Sequence, residues 1–499
     1  MRLNILFGGK AGQGANEITE TIGEILVEKG YYIFNYRDYS SLIRGGHNYN
    51  ILCISNSPIM SHDWKVDILL ALDERTLKEH KNNLKKQTKI IHFKEDFGLA
   101  TNMFYASALL CYLGIDKQIL INKIKNKYDK KYWKQDIEAV EKGYCIKDRI
   151  KLEQATNKPK KIISGGKAVS ISAKNSKLDF YFAYPMTPAT SVLHELANFP
   201  EVKVFQSGNE IEAVNSALGA SYAGKLSMTG TSGGGFDLMS ETLSMQGISE
   251  IPLTVYLASR PGPGTGVPTY SMQQDINISL YAGHGEFPRV VLCPGDPKEA
   301  YLLTNQALIL AEKFNCLSVI LSDKHLAESE FTINDFEKIS PVKITRKIPG
   351  KEIVKASSYE HLENGDTIED SENTIKAMEK RLEKEKQIKE QIKKLETYKI
   401  HGDKNSDTLF ISTGSTKGAI LDYIYEEGGK FLQLLYISPF PDIKKEIEKA
   451  KKVYIVETNS TGQLKNLIKQ KICPEKELIS ILKYDARPFT PEDIKEKIK

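Results

Sequence analysis

The sequence predicts a multidomain α/β protein, and three observations support that class. The chain has 499 residues, more than a single hydrophobic core usually organises. Apolar runs of strand length alternate with segments of helical pattern, which is typical of parallel sheets. Three loops rich in glycine or proline adjoin predicted strands, and α/β sheets bind ligands at such strand ends. These loops favour an enzyme subunit over a structural scaffold.

The first predicted α/β domain covers residues 1–150. It begins with the strand NILFGG, a glycine-rich turn and a helix over Ala15–Lys29, and continues with the strands YYIFNY, DILLAL and KIIHF. Because strand and helix patterns alternate, we expect a parallel sheet. The polar, lysine-rich residues 151–161 are predicted to form a linker.

Two further α/β domains are predicted, with a charged connector between them. Residues 162–326 contain the strands DFYFAYP, KVFQ, KLSMTG, LTVYLAS, RVVLCP and LSVILS. Residues 327–405 are predicted to be a solvated helical connector, because Glu and Lys dominate from Glu369 to Tyr398. Residues 406–499 alternate the strands TLFISTG, FLQLLYI and KVYIVE with helices.

Charge and hydropathy exclude several classes of partner. The net charge is only +5, which gives no reason to expect nucleic acid or a membrane surface. Met1 leads directly into a predicted strand, and no apolar run approaches the ~18 residues that indicate a membrane span. We therefore expect a cytoplasmic protein.

The six cysteines are far apart in sequence and include no CxxC pair. Iron–sulfur and zinc sites usually carry closely spaced ligands, so we predict no metal site on this chain. The cysteines are expected to be mostly buried small hydrophobes in a reducing compartment.

The glycine-rich turn GGKAGQG (Gly8–Gly14) joins a strand to a helix, where backbone amides can bind a phosphate. A second loop, IRGGHNYN, adds a cation and a histidine, His47. The candidate anion-binding residues are Gly9, Gly12, Gln13, Gly14 and Arg44.

Two other interpretations of this turn stay open. It can be a tight turn with no ligand, in which the glycines only permit close packing. It can also belong to a nicotinamide site, with Asp38 as the ribose-binding acid, but the spacing fits neither GxGxxG nor the Walker pattern.

The motif AYPMTPAT presents a hydroxyl from a stiff loop. Pro185 and Pro188 fix their own φ angles and push Tyr184 and Thr187 toward extended conformations. A ligand role for Thr187 is one interpretation. The other is a helix start, with Thr187 as N-cap and Pro188 at the first helical position.

The motif SGNEIEAVNSALGAS opens a predicted helix. Ser207 and Glu210 have the S-x-x-E spacing of a capping box, which would explain the acid without catalysis. Small residues follow at helical spacing, so a backbone or a flat ring could approach this face. Near the glycine loop TGTSGGGF, Glu210 would then be placed as a cofactor-activating acid.

The motif SRPGPGTGVPT contains one arginine, Arg260, after the strand LTVYLAS. Its planar guanidinium suits bidentate pairing with a carboxylate. An arginine at a loop tip can also have no function.

Together these motifs resemble the 2-oxoacid:ferredoxin oxidoreductases, and the chain looks like their fused gamma–alpha subunit. The turn at Gly8–Gly14 and RGGHN are similar to the gamma part. YPMTP, NEIEAVNSALGAS and TSGGGFDLMSE resemble motifs of the thiamine diphosphate-binding alpha part. The resemblance implies a gamma-type domain, a pyrimidine-binding thiamine diphosphate domain and a C-terminal transketolase-C-like swivel domain.

The resemblance also implies roles for individual residues. Glu210 matches the catalytic acid that hydrogen-bonds N1′ of the cofactor's aminopyrimidine. The positions that hold the substrate's carboxylate and keto oxygen are Thr187, Arg260 and Thr269. Tyr184, Pro185, Ser232 and Gly233 match other cofactor-binding positions. Met186, Asn209 and Gly234 depart from the family's usual residues, but none removes a functional group required here.

The expected reaction is the oxidative decarboxylation of a 2-oxoacid, such as 2-oxoglutarate, with coenzyme A as acyl acceptor and ferredoxin as electron acceptor. The family's diphosphate- and magnesium-binding motif and its cluster cysteines are missing from this sequence. In the family they belong to a separate beta subunit. The resemblance therefore implies thiamine diphosphate shared with a beta chain, Mg²⁺ and a [4Fe–4S] cluster on that chain, and an (αβ)2 assembly.

Three other functions are considered. The chain could be a non-catalytic scaffold homologue, which the presence of Glu210, Thr187 and Arg260 argues against. It could be a transketolase-like enzyme or decarboxylase without redox output, which the gamma-like region argues against. A nicotinamide dehydrogenase lacks its glycine fingerprint.

Overall fold

The computed structural model describes residues 1–41, 45–95, 97–155, 157, 160–355 and 357–498. The chain divides into two compact units. Unit 1 comprises Met1–Ile163, Ser329–Asp335 and Thr490–Glu492, and unit 2 comprises Ser164–Glu328, Phe336–Phe489 and Asp493–Lys499. Strands and helices alternate in both units, so the α/β class is confirmed.

The amino-terminal elements belong mainly to unit 1. In chain order they are β1 (Arg2–Lys10), α1 (Ala15–Glu28), β2 (Tyr32–Tyr39), β3 (His47–Ser55), β4 (Val66–Ala71), α2 (Glu74–Glu79), β5 (Leu84–Ile91), α3 (Thr101–Tyr112), α4 (Lys117–Lys127), α5 (Trp133–Gly143) and β6 (Lys161–Ser164).

The central elements form the first part of unit 2. They are α6 (Gly165–Asn175), β7 (Phe180–Ala183), α7 (Thr190–Ala197), β8 (Lys203–Gln206), α8 (Glu210–Tyr222), β9 (Ser227–Thr231), α9 (Gly233–Leu238), α10 (Ser240–Ser249), β10 (Leu253–Ser259), α11 (Ile276–Tyr281), β11 (Arg289–Leu292), α12 (Pro297–Phe314), β12 (Leu317–Asp323) and α13 (Lys324–Glu328).

The remaining elements follow β13 (Glu330–Ile333), a strand of unit 1. They are α14 (Ser371–Ile392), β14 (Tyr398–Gly402), β15 (Thr408–Thr413), α15 (Lys417–Glu427), β16 (Lys430–Leu434), β17 (Tyr436–Ser438), α16 (Lys444–Lys449), β18 (Lys452–Glu457), α17 (Gln463–Ile472), β19 (Leu478–Leu482) and α18 (Pro491–Ile498).

The sheet of unit 1 is mixed, so the expected parallel sheet is wrong for this region. Its order is β5-β4-β1-β3-β2-β13-β6. Strand β1 pairs in parallel with β4, but β3 lies antiparallel to both β1 and β2. Residues 40–46 connect β2 to β3, and this connection is too short for the crossover that parallel neighbours require. The polar HNYN, predicted to be loop, is the start of β3.

Unit 2 contains two sheets. In the first, the order is β17-β11-β12-β10-β9-β7-β8, and every pair except β11 with β17 is parallel. The second has the order β14-β16-β15-β18-β19 and is parallel except for β14. All strands predicted from the sequence between residues 162 and 326 are confirmed.

The segment predicted to be a charged helical connector is helical mainly over α14. Its first residues form β13, which pairs antiparallel with β2. Between 334 and 370 the described residues contain only isolated bridges, at Pro349 with Glu352 and His361 with Thr367. The predicted helix is therefore confirmed over α14, whereas the described residues between β13 and α14 are not helical.

Within unit 2, a buried ionic cluster links helix α15 to the start of helix α12. The ammonium of Lys417 in α15 bonds both Asp296 and Glu299, at the start of α12. Gln433 and Lys399 also donate to Glu299, at 2.6 and 3.1 Å. Burial would raise the pKa of Glu299, but Lys417 and Lys399 outweigh it and hold that pKa below its usual range.

We predict that Lys417→Met destabilises unit 2 strongly. The change leaves the buried Asp296 without its cation and Glu299 with only Lys399, and breaking a buried pair in this way costs about 3–5 kcal/mol. The measurement is the urea midpoint of unfolding near neutral pH. Because the pKa of Glu299 is lowered, the loss should be complete above the ordinary carboxyl pKa of 4.5 and should shrink as the pH falls further.

The matched control is Lys444→Met, which removes an exposed partner of Glu448. Exposed pairs contribute at most about 1 kcal/mol, so this midpoint should barely move. Equal midpoints for the two variants would contradict a stabilising role for the cluster.

Candidate active site

The predicted motifs meet at one edge of the parallel sheet of unit 2. Strands β10, β9, β7 and β8 are neighbours in that order and run in parallel. The segments that leave their carboxyl ends are SRPGPGTG, SGGGF, YPMTP and SGNE. Because parallel strands end at the same edge, these four loops are adjacent, as ligand-binding loops are in α/β sheets.

The amino terminus of α8 is capped by residues other than those predicted. Asn209 is the N-cap and accepts a hydrogen bond from the Glu212 amide at 2.9 Å. Glu212 Oε2 in turn accepts from the Gly208 amide at 2.8 Å. This is a variant of the capping box, with Glu212 at the third helical position bonding the amide that precedes the N-cap residue. The alternative in which Ser207 and Glu210 form the box is wrong, because the helix begins at Glu210 itself.

Glu210 therefore does not cap the helix. It is only 4% exposed, and its Oε1 has no hydrogen-bond partner among the described residues. A Cβ on Gly235 of α9 would lie 2.7 Å from Glu210 Cγ, so the first turn of α9 can pack on this acid only with glycine there. A buried carboxyl oxygen without a partner carries an energetic cost unless a ligand bonds it.

The small-residue face of α8 packs on the sheet at Ala213 and Ala217. Ala213 and Ala217 are fully buried, and α8 packs against β7 and β9. The Ser227 hydroxyl donates to the Ala217 carbonyl at 2.6 Å. These small residues therefore allow close packing of helix on sheet.

The YPMTP segment carries the residues predicted after β7. Tyr184 is 40% exposed, whereas Pro185 and Thr187 are half-buried. Helix α7 begins at Thr190 with Ala189 as N-cap, so the interpretation of Thr187 as a capping residue is wrong. The Thr187 carbonyl instead accepts a hydrogen bond from Arg260 Nη1 at 3.0 Å. The structure thus brings these two predicted substrate residues together.

The loop that leads from β9 into α9 is closely packed around glycine. Ser232 is fully buried, and its hydroxyl donates to the sulfur of Met186. A Cβ at Gly233 would lie 2.6 Å from the carboxylate of Asp275. At Gly234, by contrast, the nearest atom to a Cβ is the Gly264 carbonyl oxygen at 3.9 Å.

Arg260 interacts electrostatically with two acids, Asp275 and Glu210. The guanidinium is half-buried, and burial lowers the pKa of Arg260, while the charges of Asp275 and Glu210 oppose that shift. Thr269, the third predicted substrate residue, is buried in the loop that leaves the same strand, β10. In this arrangement Arg260 can pair with an anionic group of a ligand, and the Glu210 carboxyl can hydrogen-bond a polar group of a ligand.

Asp275 belongs to this site but was not predicted. It is 8% exposed and accepts a hydrogen bond from the Ser259 hydroxyl at 2.7 Å. Burial raises the pKa of Asp275 to about 6, with a further contribution from Asp237. Its local sequence, QQDI, has no motif, so only the fold places this acid near Arg260 and Gly233.

The glycine turn of unit 1 uses several of its own backbone groups. The Lys10 amide donates to Gln13 Oε1 at 2.6 Å, and the Ala11 amide donates to the Gly46 carbonyl at 3.0 Å. Gly12 and Gly14 have positive φ angles of 94° and 86°, which favour glycine. A Cβ at Gly9 would lie 2.8 Å from Gln13 Oε1. Arg44, the predicted cation, lies outside the described residues.

Two other predicted groups of unit 1 are engaged internally. His47 Nε2 lies 2.8 Å from His80 Nε2, and burial lowers the pKa of both rings. Asp38 Oδ2 accepts hydrogen bonds from the hydroxyls of Tyr36 and Tyr49. Asp38 is therefore a buried acceptor within its own sheet, which argues against a ribose-binding role.

All six cysteines are free, and only Cys145 and Cys473 are exposed. In the part of the chain that the structure describes, no group of three or more His, Cys, Asp and Glu side chains could hold a metal ion. No helix there is long and apolar enough to cross a membrane.

Two family models match the chain. Residues 171–397 match the model described as "Pyruvate flavodoxin/ferredoxin oxidoreductase, thiamine diP-bdg". Residues 4–97 match the model described as "Pyruvate ferredoxin/flavodoxin oxidoreductase". The first match contains all the loops of the site described above.

Curated relatives and a solved structure agree with these models. The 2-oxoacid:ferredoxin oxidoreductase subunit alpha of a Sulfolobus species is 30% identical, with 100% of this chain and 96% of the relative covered. The 2-oxoglutarate synthase subunit KorA of Archaeoglobus fulgidus is 30% identical over 62% of this chain and 91% of its own length. A 2-oxoglutarate:ferredoxin oxidoreductase from Magnetococcus marinus, solved with 2-oxoglutarate, coenzyme A and succinyl-CoA bound, superposes with a TM-score of 0.89 at 27% identity, covering 100% of this chain and 99% of that one.

The resemblance inferred from the motifs is therefore confirmed over the full chain: this protein belongs to the alpha-subunit family of the 2-oxoacid:ferredoxin oxidoreductases.

Proposed function

We propose that this alpha subunit supplies the cofactor-activating acid and the substrate's carboxylate-binding group in the oxidative decarboxylation of 2-oxoglutarate or a similar 2-oxoacid to an acyl-CoA and CO2. The observation that carries the proposal is Glu210, a buried acid whose Oε1 has no partner among the described residues. It lies beside the loops that hold Arg260 and Thr187.

The residues around Glu210 fit thiamine diphosphate. The Oε1 atom of Glu210 has no hydrogen-bond partner among the described residues. It is therefore suited to hold a proton at N1′ of the aminopyrimidine, which would give it one. Tyr184, Pro185, Ser232 and Gly233 are proposed to line the rest of the cofactor site. When bound, this cofactor supplies the carbon nucleophile that attacks the keto group and accepts the electrons left by CO2. The acid contributes by moving a proton at the pyrimidine, which is general acid–base catalysis.

The substrate's carboxylate is assigned to Arg260. Its guanidinium is positioned by the Thr187 carbonyl and by the negative charge of Asp275, so it needs little reordering to bind an anion. A planar guanidinium pairs bidentately with a carboxylate. Thr187 and Thr269 are proposed to bond the remaining substrate oxygens.

The rest of the reaction is assigned to other parts of the enzyme. The cysteines are isolated in sequence, so we assign the [4Fe–4S] cluster, and with it Mg²⁺ and the diphosphate, to a separate beta chain. Ferredoxin is the proposed electron acceptor, and (αβ)2 is the proposed assembly. Because all six cysteines are free thiols, we also propose a reducing cytoplasmic location.

We propose a role in the reaction for each segment of the chain. Residues 1–150 form the gamma-type domain, which binds coenzyme A through its glycine turn, and 151–161 link it to the pyrimidine-binding domain at 162–326. Residues 327–405 connect that domain to a swivel domain at 406–499. The glycine turn fits this role at Gly12, where no atom lies within 4 Å of the position of a Cβ.

Glu210→Gln should abolish turnover by several orders of magnitude while the chain still folds and assembles. Gln can hydrogen-bond N1′ but cannot transfer its proton as a carboxyl does. Turnover is measured as 2-oxoacid-dependent reduction of ferredoxin or viologen by the assembled enzyme.

The matched control is Glu212→Gln, two residues along the same helix. This change keeps an acceptor for the Gly208 amide, so turnover should stay near that of the wild type. Near-normal turnover of Glu210→Gln would instead support the scaffold interpretation.

Arg260→Ala should act mainly on substrate binding. The carboxylate is paired in the ground state and loses its charge as CO2 leaves, so Arg260 gives the transition state no preferential stabilisation. We expect KM for the 2-oxoacid to rise about ten- to a hundredfold, as for a hydrogen bond to a charged group. Lys203→Ala, which removes an exposed cation of β8, is the control. An unchanged KM for pyruvate, 2-oxoglutarate and branched-chain oxoacids would remove Arg260 from the site.

Gln13→Glu should raise KM for coenzyme A about tenfold by placing a negative charge in the glycine turn. The new carboxylate can still accept the Lys10 hydrogen bond, so the turn should keep its shape. Arg44→Ala should raise the same KM by removing a cation. The coenzyme A-independent decarboxylation should remain near normal in both.

Gln87→Glu provides the same charge change at an exposed position of β5 and should leave KM unchanged. If coenzyme A affinity is unaffected in the Gln13 and Arg44 variants as well, the turn serves packing only.

A further inference from the structure

Unit 2 contains a cavity of about 760 Å³ that the proposed reaction does not use. It lies between the start of β11, one face of α14, the residues after β17 and the end of α17. Its volume is in the range of sites for drug-sized molecules. Apolar and aromatic side chains that line it include Phe287, Met378, Leu382, Phe440 and Ile472.

Arg289, the first residue of β11, also lines this cavity. It is only 9% exposed, and its guanidinium lies over the Phe287 ring at 4.5 Å. Its Nη1 has no hydrogen-bond partner among the described residues. Burial lowers the pKa of Arg289 to about 10. The cation therefore lies largely out of solvent in the wall of the cavity, and the described residues give it no ion pair.

Two other arginines of unit 2 with little exposed side chain form ion pairs. Arg346 bonds Glu312, and Arg381, which also lines the cavity, bonds Glu360 at 2.5 Å. Three acids also line the cavity: Glu385 pairs with Lys389, and Glu286 and Asp442 are exposed to solvent. A buried charge without a partner is destabilising, so the absence of an ion pair at Arg289 among the described residues requires an explanation.

We propose that this cavity binds a small organic anion. A carboxylate or phosphate would pair bidentately with Arg289, the geometry in which a guanidinium binds anions best. The body of the molecule would be flat or apolar and would pack on Phe287, Leu382 and Phe440. Arg289 begins its strand, whereas the loops of Glu210 and Arg260 follow the carboxyl ends of theirs, so the two sites lie at opposite edges of the sheet.

The test uses the full-length chain and two pairs of probes, each an anion with its uncharged counterpart: AMP with adenosine, and phenylacetate with phenylacetamide. Calorimetry should show saturable binding of at least one anion and much weaker binding of its counterpart. The pair that responds distinguishes a phosphate site from a carboxylate site.

Arg289→Met should weaken binding of that anion about ten- to a hundredfold, the effect of losing a charged hydrogen bond. It should also raise the thermal midpoint of the ligand-free chain, because an uncompensated buried charge is removed. Lys386→Met, at an exposed position of α14, should change neither quantity. If Arg289→Met does not fold, Arg289→Gln serves for the same comparison.

Three results would overturn the proposal. The first is that neither AMP nor phenylacetate binds. The second is that the Arg289 variants bind the anion as tightly as the wild type. The third is that assembly with the partner chain abolishes binding, which would make the cavity a subunit contact.

Discussion

The site depends on the parallel alignment of β10, β9, β7 and β8, because that alignment brings loops from distant parts of the sequence to one edge. Neighbouring strands are ~4.8 Å apart, so four of them span only about 15 Å. A hydrogen bond therefore forms between Arg260 and the Thr187 carbonyl, 73 residues apart. The short loops and their glycines then determine which side chains face the site.

Two glutamates at the start of α8 have separate tasks. Glu212 closes the capping box with Asn209 and Gly208, and this satisfies the amino terminus of the helix. Glu210 lies one position inside that terminus, buried under Gly235 and without a partner for Oε1. A buried acid that does not cap its own helix and has an oxygen without a partner is typical of a functional site, since such a group is costly unless a ligand bonds it.

Much of the fold and the site could be predicted because the signals are local. Strand-length apolar runs and the motifs around Thr187, Glu210 and Arg260 are each contiguous in sequence, and the structure brings the three motifs together.

Other features depend on distant contacts. Strand β13 pairs with β2, and the Ile33 amide donates to a hydroxyl 299 residues away, at Thr332. Asp275 likewise becomes part of the site only through its contacts with Ser259 and Gly233. The interpretation of Ser207 and Glu210 as a capping box is wrong because a second, overlapping spacing at 209–212 also fits the pattern and is the one that caps the helix.

The central claim, that the Glu210 carboxyl activates the cofactor, is tested most directly by the exchange of the thiazolium C2 proton of bound thiamine diphosphate. The measurement is deuterium incorporation in the assembled enzyme, with no 2-oxoacid present, followed by NMR after acid quenching. If the claim holds, exchange in Glu210→Gln falls toward the rate of the free cofactor, while Glu212→Gln exchanges as the wild type does. Wild-type exchange in Glu210→Gln, with the cofactor fully bound, would contradict it.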